Sequence, residues 1–168
     1  IKLREVPIPA VGPGDILFKV SCAGVSGSDI AVYNRGSCAG SWPTVSGHEF
    51  CGRVVETGSR VRDIPIGMRF TVAELEWCGE CEMCRSGRYL QCSRLNRRGP
   101  DFGPDGMLAE YAVLHNAVLN VSVFPLPDGI SDPQAVLCAP MSAAAGSCRS
   151  IAPSDSDRVV VYGAGALG

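Results

Sequence analysis

Apolar and polar residues alternate along several short segments of the chain, which is the pattern of half-buried β-strands. In residues 16–22, the apolar side chains at every second position predict one buried face, formed by Ile16, Phe18, Val20 and Cys22. Further strands are predicted at residues 50–56, 68–73, 109–114 and 118–124. Glycine and proline separate these segments, as they do between short strands. The pattern therefore predicts a mainly β fold, a partly open barrel, for most of the chain.

The pattern changes at Ser131, where Ser-Asp-Pro offers an N-cap followed by a proline in the first turn. The alanine-rich residues up to about 149 predict a helix. After a linker at residues 152–157, the continuous apolar run at 158–162 is typical of a buried parallel strand. The sequence therefore predicts a C-terminal helix and the first strand of an α/β domain after the β-rich part.

Composition and charge limit the partners of the protein. The chain has 168 residues, of which 46% are hydrophobic and 19% charged, with a net charge of −2. This near-neutral balance predicts neither a nucleic-acid partner nor a membrane partner, and a small molecule is the expected one. No apolar stretch approaches the roughly 20 residues of a membrane span, and the first residues lack the apolar core of a signal peptide. We therefore expect a cytoplasmic protein.

Four of the nine cysteines fall within fifteen residues, in the order Cys78-x2-Cys81-x2-Cys84-x7-Cys92. Zinc binds four thiolates tetrahedrally, and a closed shell of sulfurs leaves no position for a substrate. The spacing thus predicts a structural zinc site, while free or disulfide-bonded cysteines and an iron–sulfur cluster are alternatives. Three other cysteines lie on strand or helix faces and are expected in the core: Cys22, Cys51 and Cys148.

This cysteine spacing resembles the structural zinc lobe of zinc-containing medium-chain alcohol and polyol dehydrogenases, and further motifs agree in order. Gly24-Val-Ser-Gly-Ser-Asp29 resembles the first catalytic-zinc motif of that family, Gly-x-Cys-Gly-Ser/Thr-Asp, and Gly47-His-Glu49 resembles the second. Residues 67–72 resemble the strand after the Gly-Asp-Arg-Val of the family, and residues 105–111 resemble its Gly-Gly-Phe-Ala-Glu-Tyr motif. The resemblance covers essentially the whole chain.

The resemblance implies a domain organisation. Residues 1–152 would form a GroES-like catalytic domain with its zinc lobe at about 76–98. Residues 153–168 would begin a Rossmann-type nicotinamide-binding domain that is cut off at Gly168. There, Gly163, Gly165 and Gly168 follow the predicted strand directly, as in the dinucleotide fingerprint, where glycines allow a tight turn and close approach of the pyrophosphate. The implied cofactor is NAD or NADP.

The resemblance also implies a catalytic zinc that polarises the alcohol or carbonyl oxygen during hydride transfer. Its ligand positions fall on Ser26, on His48, and on either Glu49 or a residue near Cys138. Ser26 departs from the family, which has cysteine there, and a serine hydroxyl is a much poorer ligand than a thiolate. Two registers remain open for the third ligand. In one, Leu137-Cys-Ala139 supplies Cys138, and in the other an alanine replaces the glutamate of polyol dehydrogenases.

Two neighbours of Ser26 also have implied roles. Ser28 matches the hydroxyl that begins the proton relay in the family, so Ser26, Ser28, His48 and Glu49 are the candidate catalytic residues. Asp29 either orients neighbouring groups or caps a turn.

The function that the resemblance implies is NAD(P)-dependent oxidation of an alcohol or polyol, or the reverse reduction of a carbonyl compound, by a homo-oligomeric full-length enzyme. The fragment alone would be inactive. A reductase of the same superfamily without catalytic zinc is one alternative, prompted by Ser26. A degenerate, zinc-stabilised binding module is another, because a fold alone does not establish function.

Overall fold

An antiparallel sheet forms the centre of the protein in the computed structural model, which describes residues 1–35, 45–72, 75–97 and 106–168. Within these residues the strands are β1 (Ile16–Ala23), β2 (Phe50–Thr57), β3 (Arg69–Val72), β4 (Leu75–Glu76), β5 (Asn96–Arg97), β6 (Tyr111–Leu114) and β7 (Val123–Pro125). Five of them pair in the order β6-β1-β2-β3-β7, and β4 pairs with β5 separately. The helices are α1 (Gly27–Arg35), α2 (Glu82–Arg85), α3 (Asp132–Val136) and α4 (Cys138–Ile151). The mainly β prediction is confirmed.

β1 lies beside the central strand of this sheet and pairs with both β2 and β6. The strand forms where it is predicted, with Ile16 and Phe18 fully buried and Lys19 exposed, but its first three residues do not alternate, because Leu17 on the opposite face is also buried. The pairing with β2 is interrupted by two register shifts, between Leu17 and Phe18 and between Val20 and Cys22. Such irregularities bend a strand and redirect the residues beyond it, here towards the start of α1.

Three phenylalanines from neighbouring strands form the core of the sheet. The rings of Phe18 and Phe50 stack with their centroids 4.9 Å apart, and Phe70 meets Phe18 edge-on at 5.2 Å. All three are essentially inaccessible to solvent. Aromatic pairs in these geometries stabilise a core beyond the burial of their area.

Three predicted strands are shorter in the structure, and the one predicted at 109–114 is observed as Tyr111–Leu114. Of residues 118–124, only Val123 and Phe124 lie in a strand, because the residues before them form a turn. In that turn, Asn120 has a positive φ of 57° and the Ser122 hydroxyl accepts a hydrogen bond from the Val118 backbone. The strand predicted at 68–73 is observed as Arg69–Val72, and Ala73 lies outside the described residues.

The predicted C-terminal helix is present but divided at Leu137. Ser131 caps α3 as predicted, in a capping box with Gln134. Pro140 lies in the first turn of α4 and has no N–H to donate to the carbonyl of Val136. A helix cannot continue through that position without losing a hydrogen bond and crowding the ring, so a new helix begins at Cys138. The α3 residues Ala135 and Val136 are buried against the sheet together with Cys51.

The end of the chain departs from the sequence prediction. Residues 152–168 are all exposed, and the buried parallel strand predicted at 158–162 is not formed: Val160 is 89% exposed. A parallel strand is stable only when neighbouring strands and covering helices remove it from water, and this segment has no such cover in the structure.

Cys148 on α4 is exposed rather than in the core, because only the first turn of α4 has a buried residue. Among the described residues, no helix combines the length and apolarity needed to cross a membrane.

The aromatic core generates a stability prediction. Phe70→Ala removes a fully buried ring, and we expect it to lower the free energy of unfolding by about 3–5 kcal/mol. The matched control is Phe124→Ala on the adjacent strand, because Phe124 is 38% exposed and should change it by less than about 1 kcal/mol. Urea unfolding followed by circular dichroism measures both, and equal losses would contradict the proposed core.

Candidate metal centres

The four clustered cysteines lie in a small lobe between β4 and β5, and these two strands pair with each other where the lobe begins and ends. Cys81 immediately precedes α2, Cys84 is the third residue of that helix, and Cys92 follows a short 3₁₀ turn at residues 89–91. The chain turns back sharply at Gly79 and Gly87, whose φ angles of 74° and 75° favour glycine. The side chain of Trp77 is buried beside the sulfurs and packs on Tyr89 at 4.7 Å.

The four sulfur atoms converge, and their spacing fits a zinc ion. All four lie within 4.8 Å of one another, and none is bridged in a disulfide. The sulfur–sulfur distances are 3.5 Å for Cys81 to Cys84 and Cys78 to Cys92, and 3.9 Å for Cys78 to Cys84 and Cys81 to Cys92. A tetrahedral zinc ion with bonds of about 2.3 Å requires edges of about 3.8 Å. These residues could therefore hold one zinc ion with no open coordination position.

Backbone N–H groups point at the sulfurs, which favours negative charge on them. The N–H of Cys81 donates to Cys78 Sγ at 3.3 Å, and the N–H of Arg94 donates to Cys92 Sγ at 3.3 Å. Such donors to Cys81 itself lower the pKa of that thiol, whereas burial raises the pKa of Cys84. A metal ion deprotonates coordinating thiols outright, so a bound cation would keep both Cys81 and Cys84 as thiolates.

A second cluster of polar groups joins three segments that are distant in sequence. The backbone of residues 45–47 pairs with that of residues 106–108 through three hydrogen bonds of 2.8 to 3.0 Å. Gly106 permits this approach, because a Cβ atom there would lie 2.2 Å from the carbonyl oxygen of Val45. The third segment is the start of α1, and it is attached to residues 46–47 through Asp29.

The carboxylate of Asp29 accepts four hydrogen bonds. Oδ2 receives the backbone N–H of Ser26 at 2.8 Å and the Ser26 hydroxyl at 2.7 Å. Oδ1 receives the Ser46 hydroxyl at 2.6 Å and the backbone N–H of Gly47 at 3.2 Å. Burial by itself raises the pKa of Asp29, but the hydrogen bonds from Ser46 and Ser26 outweigh it and hold the pKa below 3.8. Asp29 is therefore an anion at neutral pH.

The other predicted catalytic residues surround this carboxylate but do not form a ligand cluster. His48 lies close enough for its charge to lower the pKa of Asp29, and its buried Nδ1 has no hydrogen-bond partner in the structure. The side chain of Glu49 lies against Gly24 beside Val136 of α3, and Cys138 follows on α4. Within the described residues, the four lobe cysteines are the only group of three or more His, Cys, Asp or Glu that could hold a metal ion.

The structure also reveals a residue that sequence reasoning missed. Ser46 makes the shortest of the hydrogen bonds to Asp29 across 17 positions of sequence, and no local pattern marks it. The glycines predicted to bind the cofactor, Gly163, Gly165 and Gly168, all lie in the exposed C-terminal segment, so the structure does not bring them together with the polar cluster. The segment 105–111 begins at Asp105, which lies outside the described residues, as does Arg98 at the end of the predicted lobe.

Comparisons with known proteins agree with this combination of sheet and lobe. A family model described as the alcohol dehydrogenase GroES-like domain matches residues 12–128. L-threonine 3-dehydrogenase of Mesorhizobium japonicum is 34% identical over 100% of this chain, which covers 48% of that protein. One similar solved structure is the short chain alcohol dehydrogenase rspB from Escherichia coli CFT073, complexed with NADH, which has a TM-score of 0.79 and 32% identity to this chain. The match covers 98% of this chain and 45% of the rspB chain. Alcohol dehydrogenase TADH from Thermus sp. ATN1 has a TM-score of 0.77 and 31% identity, and the match covers 88% of this chain and 43% of the TADH chain.

The fold and the cysteine lobe thus define a β-rich domain of the zinc-binding dehydrogenase type. The chain belongs to the alcohol dehydrogenase GroES-like domain family. It spans about half the length of the curated relatives that it matches.

Removing the metal from the lobe tests its structural role. Because Trp77 packs beside the sulfurs, we expect a strong zinc chelator to shift tryptophan fluorescence to longer wavelength as the lobe opens. Cys84→Ser should show the shifted spectrum before any chelator is added. Cys148→Ser removes an exposed cysteine on α4 and should behave like the wild type, so an identical response of both variants would contradict a four-sulfur site.

Asp29 generates a prediction about pH. Its pKa is lower in the folded state than the unfolded value near 3.8, so its contribution to stability is fully present above pH 3.8 and is lost as the pH falls through the folded pKa. Asp29→Asn places an amide among four donors, and we expect a loss of about 1–3 kcal/mol at pH 7. Urea unfolding of both proteins between pH 7 and pH 3 should show a constant difference down to about pH 5 and a smaller one below pH 4. A difference that grows on acidification would show that the carboxylate is not stabilised in the fold.

Proposed function

We propose that the protein is an NAD(P)-dependent oxidoreductase that transfers hydride between a small alcohol or polyol and the nicotinamide ring. Membership of the alcohol dehydrogenase GroES-like family carries this proposal. The relatives are named dehydrogenases of threonine, galactonate, sorbitol and idonate, which all bear hydroxyl groups, and the rspB structure contains NADH. In this proposal, residues 1–152 are the catalytic domain with a structural zinc ion in the lobe, and residues 153–168 begin the cofactor-binding domain.

The polar cluster supplies the groups that would meet the substrate. Asp29 is ionised and can only accept, so the proton of the Ser26 hydroxyl points to it, and the Ser28 hydroxyl, 2.7 Å from Ser26 Oγ, must donate to Ser26. Ser28 is exposed and therefore presents lone pairs outward, where a substrate hydroxyl could donate to them. The unpartnered Nδ1 of His48 is a second polar atom beside this cluster.

The proton that leaves an alcohol on oxidation needs an acceptor near neutral pH. Asp29 is unsuited to this because its pKa is held low by the hydrogen bonds that it already accepts. His48 is the better candidate, because an imidazole nitrogen can accept or donate a proton and the buried Nδ1 of His48 has no partner in the structure. Glu49, beside it at the end of the loop, belongs to the same proposed site, and the bound nicotinamide would take or give the hydride.

The partners and location follow the same reasoning. The proposed partner is a small alcohol or its carbonyl product rather than nucleic acid or membrane, and the proposed compartment is the cytoplasm, where nicotinamide cofactors are abundant. A homo-oligomer is proposed for the full-length protein on the family resemblance alone.

The chain contains two histidines, which provides a matched pair of variants. In full-length protein assayed with a panel of secondary alcohols and polyols, we expect His48→Gln to lower kcat/KM by about 100-fold or more, the usual effect of losing an acid–base group. His115→Gln should retain activity, because His115 pairs with Asp15 in the outer part of the sheet domain. Reduction of NAD+ or NADP+ at 340 nm is the measurement. Absence of both turnover and cofactor binding would favour the degenerate binding module instead.

A further inference from the structure

Position 26 is where the family resemblance implies a cysteine ligand of a second zinc ion, and the structure gives Ser26 a different task. Ser26 immediately precedes α1, and Asp29 is the third residue of that helix. The N–H of Asp29 donates to Ser26 Oγ at 3.2 Å, while the N–H of Ser26 donates to Asp29 Oδ2 at 2.8 Å. This reciprocal pair is a capping box, which satisfies backbone donors at the start of a helix.

The hydrogen bonds of Ser26 leave its oxygen no free lone pair. A hydroxyl has one proton to donate and two lone pairs that accept. The proton goes to Asp29 Oδ2, and the lone pairs accept the N–H of Asp29 and the hydroxyl of Ser28. A metal ion could bind Ser26 Oγ only by displacing one of these groups, and the hydroxyl lacks the ready ionisation of a thiol.

The neighbouring acceptor is equally occupied. Each oxygen of the Asp29 carboxylate accepts two hydrogen bonds, so its four lone-pair positions are filled by donors from residues 26, 46 and 47. The hydrogen-bond donors and acceptors of this cluster are therefore paired with one another. His48 retains a buried Nδ1 without a partner, but among the described residues it does not come together with Glu49 and Cys138 in a group of three ligand atoms, and a single imidazole does not make a tetrahedral site.

We propose that Ser26 is a helix cap and not a metal ligand, so that the protein carries one zinc ion per chain, in the four-cysteine lobe, and none at the position implied for the catalytic zinc. The implied second ion does not fit the donors that the structure places there. This inference concerns metal content and helix stability, so it can fail while the proposed NAD(P)-linked activity holds, and the reverse.

Metal content tests the proposal directly. Full-length protein dialysed against excess zinc and then metal-free buffer should contain one zinc ion per chain by elemental analysis. X-ray absorption at the zinc edge should show a shell of four sulfurs at about 2.3 Å without nitrogen or oxygen. Two ions per chain, or a nitrogen or oxygen contribution that disappears in His48→Gln, would overturn the proposal.

Variants at position 26 test the capping role through a readout that is independent of the metal. Ser26→Ala should lower the Tm by about 3 °C, whereas Ser26→Thr, which keeps the capping hydroxyl, should stay within about 1 °C of the wild type. Both variants should keep one zinc ion per chain. Loss of zinc in Ser26→Ala with an unchanged sulfur lobe, or equal Tm values for the alanine and threonine variants, would overturn it.

Discussion

The carboxylate of Asp29 connects the parts of the chain on which the proposed site depends. It lies buried at the start of α1 and accepts hydrogen bonds from Ser26 on one oxygen and from Ser46 and Gly47 on the other. A buried charge is tolerated only when its acceptor positions are filled, so α1 and the loop before β2 must stay together. The loop in turn pairs with residues 106–108, and this places His48.

The two polar centres differ in how the chain builds them. The cysteine lobe is local: its four sulfurs come from fifteen consecutive residues, and turns at Gly79 and Gly87 bring them to the spacing of a tetrahedral ion. The cluster around Asp29 combines the end of β1, the start of α1, the loop before β2 and the segment 106–108. A metal ion can order the lobe by itself, whereas the second cluster requires the folded sheet to hold its parts in place.

The sheet and α3 supply that support. α3 packs on β1 and β2 through Ala135 and Val136, and Val136 reaches the same glycine as the side chain of Glu49. Beyond α3, Pro140 interrupts the regular helical hydrogen bonding, and most of α4 is exposed, as is the glycine-rich segment that follows it. Apolar side chains such as Met141 and Val160 are exposed in these segments, and the relatives are about twice as long as this chain.

The sequence by itself determined the features that depend on neighbouring residues. Alternation predicted β1, the Ser131 cap predicted the start of α3, and the cysteine spacing predicted that four sulfurs would meet. Tertiary structure decided what depends on distant contacts. Ser46 donates a hydrogen bond to Asp29 from 17 residues away, and the run at 158–162 is exposed because it has no neighbouring strands. Ser26 caps α1, and its hydroxyl has no free lone pair. The physical reason is that a local pattern specifies backbone preferences, whereas the hydrogen-bond partners and burial of a side chain depend on which remote segments fold against it.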